Sequence, residues 1–303
     1  MYVRQAKSEF KHPKSEIIHP KSLMNHRQLF DLIRHKKSFL CVGLDSDISK
    51  IPVHLLDRED PVFEFNKEII KSTIRCTVAY KPNLAFYESR GVKGLESLAR
   101  TMKFLKSYGD EVLTIADAKR GDIGNTSTQY AKAVFDENHS GFSFDAITVA
   151  PYMGEDSVKP FLAFEGKWDI VLALTSNKGA DDFQLIQGKD EIPLFKRVLT
   201  VTKQWGTPDN MMYVIGATRA EMLAEVREIV PEHFLLVPGV GTQGGSLQEV
   251  AEFGMNKSCG LLVNSSRSII FGSSGIDFAE KAATEARSMQ SEMEQLLSRK
   301  GLI

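Results

Sequence analysis

The chain of 303 residues has 42% apolar and 25% charged positions and a formal charge of −1, from 38 basic and 39 acidic side chains. This composition indicates a globular protein with enough apolar material for a large core. The balanced charge argues against a nucleic-acid binder, which needs an excess of lysine and arginine to neutralise phosphates. The length fits either two domains or one α/β barrel of about 250 residues.

Cysteine and histidine spacing argues against disulfides and metal sites. Cys41, Cys76 and Cys259 are widely spaced and form no CxxC motif, and the seven histidines show no metal-ligand spacing. We therefore predict that the protein binds no metal. No apolar run is long enough for a secretory signal or a membrane span. We expect a cytoplasmic protein with neither a nucleic-acid nor a membrane partner.

The first 23 residues differ from the rest of the chain. They contain five basic and two acidic residues, two prolines and a repeated His-Pro-Lys-Ser. A segment this polar has too little apolar surface to pack, which predicts a disordered tail. We therefore divide the chain into a tail over 1–23 and a catalytic domain over 24–303.

From Ser38 onward, short apolar runs alternate with stretches of helical spacing. The runs cover 38–44, 76–81, 112–117, 145–149, 169–174, 212–216, 234–238 and 260–264. Their continuous apolar character is typical of strands that are buried on both faces. The last stretch, 278–297, is strongly helical. Eight such units over about 250 residues predict a single-domain α/β protein, the (β/α)8 TIM barrel, with a doubly wound sheet as the alternative.

Charged residues stand where the first three predicted strands end. Asp45 follows the first run, Lys81 ends the second, and Asp117 ends the third, with Lys119 and Asp122 just beyond it. Barrel enzymes carry their chemistry at this end of the strands. Regular alternation along an extended backbone would point Asp117 and Lys119 the same way. Lysines and carboxylates that alternate in a cluster keep each other charged, so Lys119 is better suited to stabilise and protonate a carbanion than to form a Schiff base.

Glycine-rich sequence follows the seventh run. Residues 238–245 read PGVGTQGG, formally a GxGxxG motif, but the next strand ends in Asn264 and not in the acid expected of a dinucleotide site. The loops after strands 7 and 8 are the usual phosphate site of a barrel, and Arg267 follows the eighth run. Glycine N–H groups and one arginine suit a phosphate monoester, whereas ordinary turns with a surface arginine are the alternative. The long segment from Thr175 onward is typical of a lid or binding loop.

Two motifs identify a family. Residues 117–126 read DAKRGDIGNT, which matches the pattern DxKxxDIxxT, and residues 81–88 read KPNLAFYE. With these motifs, over about residues 27–290, the chain resembles the orotidine 5'-phosphate decarboxylases, in particular the bacterial subgroup that carries KPNLAFYE. One departure is Lys178, where the family commonly has proline in the loop after the fifth strand.

This resemblance implies a role for each candidate residue. The implied catalytic group is Lys81, Asp117, Lys119 and Asp122. The implied substrate-binding group is Asp45 for a ribose hydroxyl, Ser176 for the pyrimidine edge, and Gln243 and Arg267 for the 5'-phosphate. Asp122, Ile123 and Thr126 would reach into the site of a neighbouring subunit, which implies a homodimer.

The activity that the resemblance implies is decarboxylation of orotidine 5'-monophosphate to uridine 5'-monophosphate (UMP) and CO2, in de novo pyrimidine biosynthesis and without a cofactor. The implied partners are this nucleotide and a second copy of the chain. Three rival activities remain open. They are a Mg²⁺-dependent phosphate-sugar decarboxylase, a Schiff-base aldolase that would use Lys81, and a nucleotide-binding barrel without catalysis.

Overall fold

The computed structural model describes residues 24–217, 221–240 and 245–303, and the predicted tail over 1–23 lies outside this part. Within the described residues, eight parallel strands close into a barrel in sequence order. The strands are β1 (Leu40–Leu44), β2 (Thr77–Pro82), β3 (Leu113–Arg120), β4 (Ala146–Val149), β5 (Trp168–Leu174), β6 (Met211–Ile215), β7 (Phe234–Pro238) and β8 (Leu261–Ser265). The predicted barrel is confirmed, and the alternative of a doubly wound sheet is wrong.

Helices connect successive strands. They are α1 (His26–Lys36), α2 (Pro61–Thr73), α3 (Leu84–Glu88), α4 (Gly91–Lys106), α5 (Gly124–Phe135), α6 (Glu137–Ser140), α7 (Glu155–Leu162), α8 (Leu194–Thr202), α9 (Met222–Ile229), α10 (Leu247–Gly254), α11 (Arg267–Ile270) and α12 (Phe278–Arg299). The last helix packs against α2 and α11. In the described part of the chain, no helix combines the length and the apolar character that crossing a bilayer requires.

The residues around α1 cover the amino-terminal end of the barrel. Trp168 of β5 and Phe234 of β7 meet edge to face, with ring centroids 6.4 Å apart. The indole Nε1 of Trp168 donates a hydrogen bond of 2.8 Å to the backbone oxygen of Met24. Asn25 caps α1 in a capping box with Gln28. These residues therefore fill this end of the barrel, whereas Lys81 and Asp117 lie toward the carboxyl ends of β2 and β3.

Helix α4 passes very close to α3 at Gly94. A Cβ atom at Gly94 would lie 1.8 Å from the backbone oxygen of Tyr87. We expect Gly94→Ala to lower the free energy of unfolding by at least about 2 kcal/mol, because an overpacked methyl group forces the backbones apart. Thermal unfolding measures the effect, with Glu96→Ala on the exposed face of the same helix as the control. Equal unfolding midpoints for the two variants would contradict this close approach.

Candidate active site

Charged side chains from β2 and β3 meet at the carboxyl end of the barrel. Lys81 and Asp117 are buried, at 5% and 8% exposure. The Nζ of Lys81 donates a hydrogen bond of 2.6 Å to Asp117 Oδ2, and the Nζ of Lys119 donates one of 2.5 Å to Asp117 Oδ1. The structure therefore brings three of the four predicted catalytic residues together, as one carboxylate between two ammonium groups. We call these three residues the Lys-Asp-Lys cluster.

Burial and charge act in opposite directions on this cluster. Burial alone would raise the pKa of the Asp117 carboxyl, but the charges of Lys81 and Lys119 outweigh it and hold that pKa well below its ordinary value. Burial likewise acts to lower the pKa of Lys81, but Asp117 and Asp45 raise it above the ordinary value. Both groups are therefore ionised at neutral pH, and each depends on its neighbours for its charge.

The backbone of β3 leaves the regular strand geometry where the cluster forms. Ala116 pairs with Ile147 of β4, but the next paired residue is Arg120, opposite Val149. Between them, Lys119 has a φ of +48°, in the left-handed region. The side chains of Asp117 and Lys119 meet as predicted. The predicted reason, regular alternation, is wrong, because a bulge directs them toward each other.

Asp45 lies beside the cluster, at the end of β1. Its charge contributes to the raised pKa of Lys81. Its Oδ1 is buried and has no hydrogen-bond partner among the described residues. Because a buried acceptor without a donor is costly, this oxygen is suited to accept a hydrogen bond from a ligand hydroxyl.

A buried polar network fixes the segment that carries Asp45. The next residue, Ser46, donates a hydrogen bond of 2.5 Å from its hydroxyl to Asn66 of α2. The amide nitrogen of Asn66 donates to the hydroxyl of Tyr87 at 3.0 Å, and that hydroxyl donates to the backbone oxygen of Leu44 at 3.2 Å. Sequence reasoning missed this network. Only Tyr87 belongs to a recognised motif, and nothing in the spacing connects Asn66 to it.

Asp122, Ile123 and Thr126 follow β3, in the connection to α5 and in its first turn. The carboxylate of Asp122 accepts a hydrogen bond of 2.7 Å from the backbone nitrogen of Ile123. Among the described residues, no hydrogen bond or ion pair connects Asp122 to either cluster lysine. Ile123 is 55% exposed although it is aliphatic. In one chain, the predicted fourth catalytic residue therefore makes no direct polar contact with the cluster lysines among the described residues.

Ser176 lies at the carboxyl end of β5, where the predicted lid begins. A Cβ atom at Gly216 would lie 2.6 Å from the backbone nitrogen of Ser176, so the end of β6 rests directly against it. The segment beyond Ser176 forms a short 3-10 helix, Lys178–Asp182. Phe183 follows it with 65% of its surface exposed. This exposed aromatic side chain gives the loop an apolar surface that could cover a ligand.

Arg267 begins helix α11, directly after β8. Its side chain is exposed and forms no ion pair within the part of the chain that the structure describes. The neighbouring segment lies close to β1, since a Cβ atom at Gly43 would lie 1.8 Å from the Ser266 hydroxyl. The guanidinium is therefore available to an anionic ligand. Gln243, the other predicted phosphate contact, lies outside the described residues.

The opposing effects on Lys81 generate a pH prediction for Asp117→Asn. Without this carboxylate, burial dominates and the folded-state pKa of Lys81 falls below its unfolded value. Between these two pKa values the unfolded state binds more protons than the folded state. The variant therefore loses stability as the pH falls from the unfolded-state pKa of Lys81 toward its folded-state pKa. We expect the difference in unfolding midpoint between wild type and variant to widen from pH 9 to pH 6. Asp136→Asn, at a carboxylate without an ion pair among the described residues, should show no such trend. A pH-independent difference for Asp117→Asn would contradict the prediction.

Comparison with known proteins places this chain in a family. The orotidine 5'-phosphate decarboxylase / HUMPS family model matches residues 38–281. The orotidine 5'-phosphate decarboxylase of Phocaeicola vulgatus is 56% identical over 274 residues, which cover 90% of this chain and 99% of the relative. That of Flavobacterium johnsoniae is 57% identical over 277 residues, 91% of this chain and 100% of the relative. The structure of Leishmania donovani OMP decarboxylase matches with a TM-score of 0.71 and 32% identity, over 88% of this chain and 99% of that one. The chain therefore belongs to the orotidine 5'-phosphate decarboxylase / HUMPS family.

Proposed function

We propose that this protein decarboxylates orotidine 5'-monophosphate to UMP and CO2, in the cytoplasm and as a step of de novo pyrimidine biosynthesis. The observation that carries the proposal is the Lys-Asp-Lys cluster at the open end of the barrel. The names of the two bacterial relatives, each more than half identical to this chain, support the same substrate. The reaction draws its catalytic groups from the protein and uses no cofactor.

The chemical difficulty of this reaction is a carbanion at C6 of the pyrimidine. When the bond from C6 to the carboxylate breaks, CO2 leaves and the electron pair stays on C6. The ammonium of Lys119, placed beside C6, stabilises this charge and then donates a proton to it. The amine of Lys119 regains its proton from water. Its side chain is 52% exposed, which gives it this access to solvent.

Asp117 and Lys81 act on the same step through charge. In the proposed complex, Asp117 lies near the departing carboxylate, and the repulsion between two anions disfavours the bound substrate relative to the transition state. Lys81 keeps Asp117 ionised and in place. Arg267 would hold the 5'-phosphate away from the reacting carbon, where its binding energy helps to close the loops over the substrate.

A spectroscopic assay tests this function against its rivals. Loss of the absorbance of orotidine 5'-monophosphate, unchanged by EDTA, is the expected result. Loss of activity in EDTA would favour a Mg²⁺-dependent phosphate-sugar decarboxylase. Trapping of a substrate on Lys81 by borohydride would favour an aldolase. Tight binding of UMP without any turnover would favour a non-catalytic barrel.

Lys119→Ala should lower kcat by at least about a thousandfold, because it removes both a proton donor and an electrostatic stabiliser. The absorbance assay measures kcat and KM for the variant. Lys103→Ala, which removes an exposed lysine on α4, should retain wild-type rates. A Lys119→Ala variant with activity within tenfold of wild type would show that this assignment of the proton donor is wrong.

We also propose that the active unit is a homodimer in which each chain completes the site of the other. Asp122 lies outside the Lys-Asp-Lys cluster of its own chain, and Ile123 next to it is an exposed aliphatic residue. Tyr152 and Met153, which follow the adjacent strand β4, are also exposed, at 92% and 48%. Exposed apolar side chains around a catalytic motif suit an interface that two copies share.

Mixing two inactive variants tests this shared site. A hybrid of Lys119→Ala and Asp122→Asn chains would have one site with both defects and one site with neither. Random exchange of subunits makes half of the dimers hybrid, so about one quarter of all sites should regain wild-type activity. A mixture that stays inactive after subunit exchange would contradict the shared site. Samples of each variant alone, taken through the same exchange procedure, serve as controls.

A further inference from the structure

The bulge in β3 sets three residues against one residue of β4. Ala116 and Arg120 pair with Ile147 and Val149, so residues 117–119 stand opposite Thr148 alone. The backbone nitrogens of this segment therefore lack their usual partners in the neighbouring strand. Thr148, which is 1% exposed, supplies a partner to two of these nitrogens through its hydroxyl.

The hydroxyl of Thr148 satisfies the bulge and contacts the cluster at the same time. Its Oγ1 accepts hydrogen bonds from the backbone nitrogens of Ala118, at 3.0 Å, and Lys119, at 2.9 Å. It donates a hydrogen bond of 3.0 Å to Asp117 Oδ1. A hydroxyl has one proton to donate and two lone pairs to accept with. All three are used here, so this single group connects the backbone of the bulge to the carboxylate.

This arrangement controls the direction of Lys119. A φ of +48° is unfavourable for a residue with a side chain, and the hydrogen bond from its own backbone nitrogen to Thr148 helps to hold it there. The oxygen of Asp117 that receives the Thr148 proton, Oδ1, also receives the ammonium of Lys119. The Thr148 hydroxyl therefore contacts Lys119 in two ways. It accepts a hydrogen bond from the backbone nitrogen of Lys119, and it donates to the Asp117 oxygen that also binds the Lys119 ammonium.

We propose that Thr148 is a positioning residue for the decarboxylation: it aims the Asp117 carboxylate and the Lys119 ammonium at the reacting carbon. This inference rests on the proposed function. Thr148 acts through Asp117 and Lys119 and makes no contact with the substrate in this scheme. Its loss therefore affects the transition state more than the binding of the nucleotide, which depends on the phosphate and ribose contacts.

Three variants and one control test this role. Thr148→Val keeps the shape and removes the hydroxyl, Thr148→Ser keeps the hydroxyl, and Thr148→Cys replaces it with a weak donor and acceptor. The matched control is Thr114→Val on the neighbouring strand β3, which carries the bulge. Thr114 is also buried, and its hydroxyl donates to Asp145 at 2.7 Å, at the opposite end of β3. The Thr114→Val substitution therefore removes a buried hydroxyl hydrogen bond at the end of β3 opposite the cluster.

We expect Thr148→Val to lower kcat by at least about thirtyfold with KM and the dissociation constant of UMP within about threefold, because small misplacements of reacting groups cost about a hundredfold in rate. Thr148→Ser should restore kcat to within about fivefold of wild type, since its hydroxyl can make the same three hydrogen bonds. Thr114→Val should lower the unfolding midpoint and leave kcat within about twofold of wild type. If Thr148→Val does not fold, Thr148→Cys takes its place with an expected loss in kcat of at least about tenfold.

Three results would overturn the inference while the wild type is active. The first is a kcat within threefold of wild type for Thr148→Val, or for Thr148→Cys in its place. The second is a Thr148→Ser variant as slow as Thr148→Val. The third is a loss of kcat in Thr114→Val equal to that in Thr148→Val. A wild-type protein that does not consume orotidine 5'-monophosphate would instead overturn the proposed function, and this inference with it. The two failures are therefore distinguishable.

Discussion

The buried carboxylate of Asp117 is the group on which the rest of the site depends. Removing an ion from water costs several kcal/mol even in a relaxed protein interior, so this carboxylate needs close partners of opposite charge. The ammonium of Lys81, whose side chain is 6% exposed, likewise needs a close negative charge. The side chain of Lys119, in contrast, is 52% exposed. Lys81 and Asp117 therefore form a fixed pair of charges. Lys119, which keeps access to water, is the member of the cluster that can exchange a proton.

The barrel explains how residues far apart in sequence reach one carboxylate. Lys81, Asp117 and Thr148 belong to three successive parallel strands, whose carboxyl ends lie side by side. At the opposite end of the barrel, the rings of Trp168 in β5 and Phe234 in β7 pack against each other. At the open end, a regular strand would determine the directions of the Asp117 and Lys119 side chains by alternation alone. The bulge replaces alternation, and the Thr148 hydroxyl bonds both to the backbone of the bulge and to the Asp117 carboxylate.

Much of the fold could be predicted from the sequence because continuous apolar runs mark strands buried on both faces. Each predicted run corresponds to one strand, and the charges that end the runs for β2 and β3 lie together as expected. The bulge could not be predicted, since nothing in the letters DAKRG requires a positive φ at Lys119. Thr148 was missed for a related reason: within the run DAITV a threonine reads as an ordinary β-branched strand residue. Its importance depends on the register between two strands, which a single sequence does not reveal.

The positive charges of the site contrast with the near-neutral charge of the whole chain. With a formal charge of −1, the protein has no global field to attract an anionic nucleotide. Under the proposed function, attraction is therefore local. Within the Lys-Asp-Lys cluster, two ammonium groups face one carboxylate, and Arg267 adds a further cation after β8. In that scheme the arginine would bind the phosphate end of the substrate, away from the reacting carbon, and Asp117 would repel the carboxylate that must leave. Under the proposed function, such a site would favour the transition state over the substrate, with charges that stay fixed throughout the reaction.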